Sequence, residues 1–236
     1  MQKYRQHIVF FTGAGISVAS GLPTFRDKDG LWKNYDAMEL ASSAGFYNNP
    51  EKVLDFYNER RRNLLSVEPN HAHKVIAELE KDYEVSVITQ NVDNLHERAG
   101  STHVIHLHGE LTKVTSSANR LSRENIKDYP LDVPIKMGDK AADGSQLRPF
   151  VIFFGEYLDD CTEAEKLVKN ADIFVVIGTS LVVYPAALFV DMAHHEVPKY
   201  LIDPSEMEGK IPQGFVHIQK EALEGIDLFL EGLSKL

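Results

Sequence analysis

His7-Ile8-Val9-Phe10-Phe11-Thr12-Gly13-Ala14-Gly15-Ile16-Ser17 is the stretch that decides the fold. An apolar run over residues 7–11 meets two glycines and then a serine, so the order reads as strand, tight turn, helix start. That geometry aims backbone N–H groups and a helix N-terminus at one spot, which suits a phosphate. A second stretch repeats the logic. Residues 85–88 are apolar, and Thr89-Gln90-Asn91-Val92-Asp93-Asn94-Leu95-His96 follows directly. In an open parallel sheet, residues just past the carboxyl end of a strand line the ligand crevice. Two such strand ends, both polar, predict a nucleotide site.

Outward from these turns, apolar runs recur at residues 104–107, 151–154, 173–177 and 200–202. They are continuous rather than alternating, as strands buried on both faces require. Helical patterns separate them, over residues 50–65, 71–79 (with Asn70 as a cap), 162–168, 185–193 and 220–233. Strand alternating with helix predicts a doubly wound, Rossmann-like α/β sheet. Residues 24–70 form a long helical excursion, and residues 112–147 are mostly polar and irregular.

Composition narrows the function. The 236 residues are 43% hydrophobic, enough for one sizeable core. The formal charge is −10 and the only basic cluster is Arg60-Arg61-Arg62 inside a helical pattern, so binding to nucleic-acid phosphates is disfavoured. Basic protein segments are better matched partners. One cysteine, Cys161, excludes an internal disulfide. No apolar run reaches the roughly 20 residues needed to span a bilayer, and the start of the sequence has no signal-peptide pattern. A monomeric cytoplasmic protein without membrane attachment is the expectation.

Several residues bear two local readings. Gly13 and Gly15 serve any strand-to-helix turn, or let the backbone approach a pyrophosphate, with Arg26 supplying the counter-charge. Asp93 is a good helix cap or a ligand group. Gly178, Thr179 and Ser180 end an apolar strand as a cap or as a polar ligand turn. His103, His106 and His108 cluster, and their number does not choose among them. Tyr57 and Arg60, three apart on a helix, share a face, and read locally they are a packed phenol beside a solvated guanidinium.

Five segments in register carry a resemblance. Residues 13–26 read Gly-Ala-Gly-x-Ser-x-x-Ser-Gly-x-Pro-x-Phe-Arg, and residues 89–96 read Thr-Gln-Asn-x-Asp-x-Leu-His. His108-Gly109-Glu110-Leu111, Arg148-Pro149 with Phe154-Gly155-Glu156, and Gly178-Thr179-Ser180-Leu181 running to Pro185 follow in order. Together they resemble the sirtuin family, NAD-dependent protein deacylases, over nearly the whole chain. The resemblance implies a large part over residues 1–23, 71–111 and 148–236, and a smaller domain from residues 24–70 and 112–147. It implies NAD contacts from Gly13, Ala14, Gly15, Ser17, Phe25 and Arg26, with Gln90 and Asn91 on the nicotinamide ribose. Val92 and Asp93 would meet the carboxamide, Gly178, Thr179 and Ser180 the adenosine half, Asp203 the adenine ribose and Ala222 the adenine. Among the histidines it selects His108 as general base, suited by an unperturbed pKa near 6.5, with Asn91 as its catalytic companion; His106 is expected to pack and His103 to lie near the surface.

The resemblance also implies the chemistry. An acyl-lysine peptide would lie between Phe154-Gly155-Glu156 and Val182 as an added strand. Its acyl oxygen would attack the ribose, nicotinamide would leave, and O-acyl-ADP-ribose would form. The Tyr57/Arg60 pair, Ala41 and Thr24 resemble the desuccinylase and demalonylase class, in which the pair binds the acyl carboxylate. The chain departs from the family in its zinc site. Most sirtuins hold zinc with four cysteines between the His108-Gly109-Glu110-Leu111 motif and the docking segment, whereas Ser116 and Asn119 stand where the first pair is expected, so no zinc is expected. Two other functions remain open at the sequence level: NAD hydrolysis or ADP-ribosyl transfer on the same site, and NAD sensing without turnover.

Overall fold

Strand β1 (His7–Thr12) is buried along its whole length, and its alternation sorts the molecule into layers. The computed structural model describes residues 5–24, 36–158, 160–179, 186–206 and 211–235. Ile8 and Phe10 face helices α4 (His71–Leu79) and α8 (Ala222–Leu233). Val9 and Phe11 face α6 (Thr162–Lys169) and α7 (Ala186–Met192) on the other side. A strand covered on both faces has no polar side to offer, which is why its sequence is a continuous apolar run.

The main sheet has six parallel strands in the order β3-β2-β1-β7-β8-β9. β1 lies between β2 (Glu84–Thr89) and β7 (Ile173–Ile177), with β3 (Val104–His106) beyond β2, and β8 (Lys199–Ile202) and then β9 (Phe215–Ile218) beyond β7. The strand order reverses between β1 and β7, so a crevice opens beyond their carboxyl ends. Gly13 and Gly178 sit at that point, with Gln90 following β2 and Asp203 following β8. The helical turn after Gly13 is a 3₁₀ helix (Ala14–Ser20) rather than an α-helix.

A second sheet is antiparallel and three-stranded, in the order β5-β4-β6, from β4 (Gly109–Ser116), β5 (Lys127–Asp128) and β6 (Leu147–Val151). This corrects the reading of residues 151–154 as a strand of the main sheet. The strand there is β6, and Phe154 instead bonds the segment before α2 (Ser43–Asn48): its N–H donates to Ala41 O at 2.7 Å and its O accepts from Ser43 N at 3.0 Å. The apolar run arises because Val151 and Phe153 enter a separate core with Tyr57 and Leu64 of α3 (Pro50–Leu65). Edge strand β9 was not foreseen, since it is only half buried and short.

Helix α3 organises the polar 112–147 region. Arg61 is fully buried and donates to the carbonyls of Leu111, Tyr129, Pro130 and Val133. Asn58 closes both backbone groups of Ile135 at 2.8 Å. Further along, Ser116 and Asn125 meet the carboxylate of Asp143, which also accepts from Ser145. Ser116 Oγ accepts from Ala118 N and Asn119 N. Ser116 and Asn119 thus belong to a hydrogen-bonded knot, and the chain's single cysteine, Cys161, precedes α6. Among the described residues no helix is long and apolar enough to cross a membrane.

Candidate functional site

A cleft of about 1130 Å³ runs from the β1/β7 switch point to the face of α3 that carries Tyr57 and Arg60. Its walls carry Gly13, Ala14, Gly15, Ser17, Gln90, Asn91, Val92, Asp93, His108, Gly178, Thr179, Asp203 and Ala222, together with Ala41, Tyr57, Arg60, Phe154, Gly155 and Glu156. Residues from nine separated segments therefore converge on one cleft. Phe25, Arg26, Ser180 and Val182 lie outside the described residues.

Glycine is required at the floor by contact. Gly15 N donates to Gly178 O at 2.9 Å, and a Cβ on Gly15 would stand 2.5 Å from Gly178 Cα. A Cβ on Gly13 would stand 2.7 Å from Gly178 O. Gly178 itself has φ +63, in the left-handed region. Two loops far apart in sequence thus touch backbone to backbone and leave a cradle without side chains.

The 90–93 loop is fastened on every side. Asn91 Nδ2 donates to Gly13 O and to Ser17 Oγ, each at 3.2 Å. Ser17 Oγ donates to Asp93 Oδ2 at 3.1 Å, and Leu95 N donates to Asp93 Oδ1 at 3.1 Å. Asp93 thus sits one residue before the cap position of the next helix, Asn94, and its carboxylate takes the first helical N–H. Burial pushes its carboxyl pKa up, against the bonds from Leu95 and Ser17 that lower it. Two threonines not singled out in the sequence complete the splint. Thr12 Oγ1 donates to Thr89 Oγ1 at 2.9 Å, which accepts from Asn91 N at 3.0 Å. Their only sequence signal is position, as the last residues of β1 and β2.

His108 Nδ1 lies 3.0 Å from Gln90 O. A carbonyl only accepts, so Nδ1 carries the proton and Nε2 is the basic nitrogen of the neutral ring. Burial lowers the His108 pKa below 6.5, and the Gln90 bond partly offsets this. The ring is therefore a proton acceptor at neutral pH.

At the α3 end of the cleft, Tyr57 is buried against Phe153, with ring centroids 5.6 Å apart. Burial holds its phenol protonated, far above the ordinary range. The Arg60 side chain is only 14% exposed; its guanidinium lies 4.7 Å from the Phe56 ring centroid and bonds Glu59. Glu156 faces Arg148, which grips it through two nitrogens at 2.6 and 3.0 Å. Burial raises the Glu156 pKa, but the Arg148 fork outweighs it and the net shift is downward. Asp203 turns its carboxylate onto Ser205, accepting from Ser205 N at 3.0 Å.

The pocket fits a dinucleotide. Gly13, Ala14, Gly15 and Gly178 present backbone to the cleft at the carboxyl ends of β1 and β7, where a pyrophosphate is bound in such folds, and the buried Gln90 Nε2 has no hydrogen-bond partner among the described residues. Similar proteins agree. The profile described as the Sir2 family matches residues 13–185. An NAD-dependent protein deacylase of Bacteroides thetaiotaomicron is 49% identical over 223 residues, covering 94% of this chain and 95% of its own. A crystal structure of a Sir2 homolog–NAD complex superposes with a TM-score of 0.84 at 38% identity, over 98% of this chain and 90% of that one. A Sir2 variant bound to a deacetylated peptide and 3′-O-acetyl ADP-ribose superposes with a TM-score of 0.78 at 32% identity, over 97% and 94%. A glycine cradle, a pinned polar loop and a neutral histidine in one cleft, with relatives of this similarity, make the chain a member of the Sir2 family of NAD-dependent protein deacylases.

Proposed function

We propose that this deacylase accepts lysine acyl groups that end in a carboxylate, succinyl and malonyl, as well as acetyl. The observation that carries the reading is the position of Tyr57 and Arg60. Both stand on one face of α3 and line the cleft that also contains His108 and Ala41. A phenol that stays protonated donates one hydrogen bond, and a guanidinium donates a charged pair, which is the donor set a desolvated carboxylate requires. Ala41, buried at 5% exposure, leaves that end of the cleft wide.

The residues divide the work as follows. Gly13, Ala14, Gly15 and Ser17 hold the pyrophosphate side, and Asn91 and Asp93 orient the nicotinamide riboside. When bound, NAD supplies the ribose carbon that receives the acyl oxygen as nicotinamide leaves. His108 Nε2 takes a proton from a ribose hydroxyl, and its Nδ1–H stays on Gln90 O throughout. Phe154 has both backbone groups engaged by Ala41 and Ser43, so the peptide pairs through Gly155 and its neighbours. Residues 24–70 and 112–147 make the smaller domain in this reading. Hydrogen bonds to Arg61, Asn58 and Asp143, rather than a metal, tie the latter segment down.

Matched succinyl- and acetyl-lysine peptides, with and without NAD, test this directly by mass spectrometry. Arg60→Met is expected to lose desuccinylation about 100-fold and keep most deacetylation, since one charged pair is worth about 2–3 kcal/mol. Equal loss on both peptides would overturn the acyl assignment. Nicotinamide release with neither peptide deacylated would point to NAD hydrolysis instead.

A further inference from the structure

His106 and His108 leave the same short segment two residues apart, and the structure gives them opposite charge states. His108 has one acceptor, Gln90 O, and is neutral. His106 has two. Its Nδ1 lies 2.9 Å from Asn91 O, and its Nε2 lies 2.7 Å from Glu97 Oε1. Both partners only accept, so both ring nitrogens must carry protons and the ring is an imidazolium. Its side chain is 6% exposed.

The two rings grip consecutive carbonyls, of Gln90 and Asn91, and Leu111 N takes the next, Val92 O, at 2.8 Å. Residues 106–111 therefore hold the back of the loop whose front faces the coenzyme. We propose that His106, held as an imidazolium by Glu97, is a positioning residue that fixes the 90–93 loop and makes coenzyme affinity fall as pH rises.

The reason is geometric. A neutral ring has one N–H. With the proton on Nδ1, a lone pair on Nε2 faces the Glu97 carboxylate at 2.7 Å. With the proton on Nε2, a lone pair faces Asn91 O at 2.9 Å. Either way one attraction becomes a repulsion, and the loop is released on one side. The surrounding charges act together on the ring. Glu97 on α5 (Leu95–Ala99) and Glu110 on β4 favour the cation. Lys113 binds Glu110 at 2.6 Å and tempers it. Asp93 adds a carboxyl on the loop side, and His96 on α5 is neutral. Burial lowers the His106 pKa, but the bond and charge of Glu97 outweigh it, so the net shift is upward from 6.5. The grip is complete below that value and is lost as pH climbs through the raised one.

The inference rests on the reading that the 90–93 loop contacts the coenzyme. The test is calorimetric binding of ADP-ribose from pH 6 to pH 9 by the full chain, by His106→Ala, by His106→Asn and by Asn91→Ala. Asparagine presents an N–H where His Nδ1 stood and does not titrate. The wild-type dissociation constant is expected to rise about ten-fold across the range, one hydrogen bond's worth. His106→Ala is expected to bind about ten-fold more weakly at pH 6.5, and His106→Asn to recover most of that affinity with a flat profile. The slope that His106→Asn removes belongs to His106, and any that remains belongs to His108. An unchanged slope in His106→Asn overturns the proposal, and it decides the matter even where His106→Ala does not fold. Should Asn91→Ala bind normally, the reading of the loop fails; should Asn91→Ala weaken binding while His106→Ala does not, only the positioning role fails.

Discussion

At the scale of single residues, the site is governed by what is missing as much as by what is present. Gly13, Gly15 and Gly178 interlock without side chains, and a methyl at Gly15 has only backbone to push against. Overpacking of this kind costs about 1–3 kcal/mol. Gly15→Ala is therefore expected to remain folded by circular dichroism yet raise the KM for NAD at least about ten-fold; an unchanged KM would show that the loops yield. These glycines were legible in the sequence because the demand falls on residue type itself. Asn91 and Asp93 were legible as polar groups directly after an apolar strand, whereas His108 was singled out from His103 and His106 only by the resemblance of His108-Gly109-Glu110-Leu111. His106 was not. Its charge depends on Glu97, nine positions earlier in the chain, reaching across from another element, and no local spacing encodes that meeting. The expectation that His106 merely packs is right about its burial and silent about its two bonds.

At the scale of elements, α3 serves two lobes from two faces. Tyr57 and Arg60 line the cleft, while Leu54, Asn58 and Arg61 point to the 112–147 region. Arg61 is itself fully buried, and its guanidinium is satisfied by the four carbonyls it donates to. Arg61→Met is expected to lower stability by about 3–5 kcal/mol in urea titration, with a chelator making no difference to the wild-type midpoint. A midpoint that falls on chelation would mean that a metal, not α3, carries the lobe. The helix itself was readable from its period and its Asn49–Pro50 start, where Asn49 Oδ1 accepts from Lys52 N. The strands of the second sheet were not, because β4 mixes polar residues with apolar ones and β6 ends one residue into the apolar run that drew attention.

At the scale of the whole molecule, the doubly wound layout followed from continuous apolar runs alternating with helices, and the six-stranded sheet bears it out. What the runs could not tell was which of them belonged to a second core, since burial looks alike in both. A pair of histidines sits inside the main body. His73 and His96 are fully buried, with ring centroids 4.8 Å apart, and burial drives both toward the neutral form. The His73 pKa falls from 6.5 to about 4. The unfolded chain thus takes up a proton below pH 6.5 that the native state refuses until about pH 4, so stability declines as pH falls through that window. For His73 alone the loss is roughly 3 kcal/mol. Thermal melts at pH 7 and pH 4.5 should show the decline, and His73→Phe should lessen it; identical pH dependence in the variant would assign the decline elsewhere.

The pairing of Ile8 with Ile173 has a consequence for synthesis. During synthesis β1 finds β2 within some eighty residues, yet its other neighbour, β7, follows it only 165 residues later, Ile173 pairing with Ile8. Gly15 meets Gly178 later still. Between the synthesis of β2 and that of β7 the nascent protein therefore carries a half-covered central strand and no coenzyme cradle, and the slow closure of so long a loop sets the moment at which NAD can first assist folding.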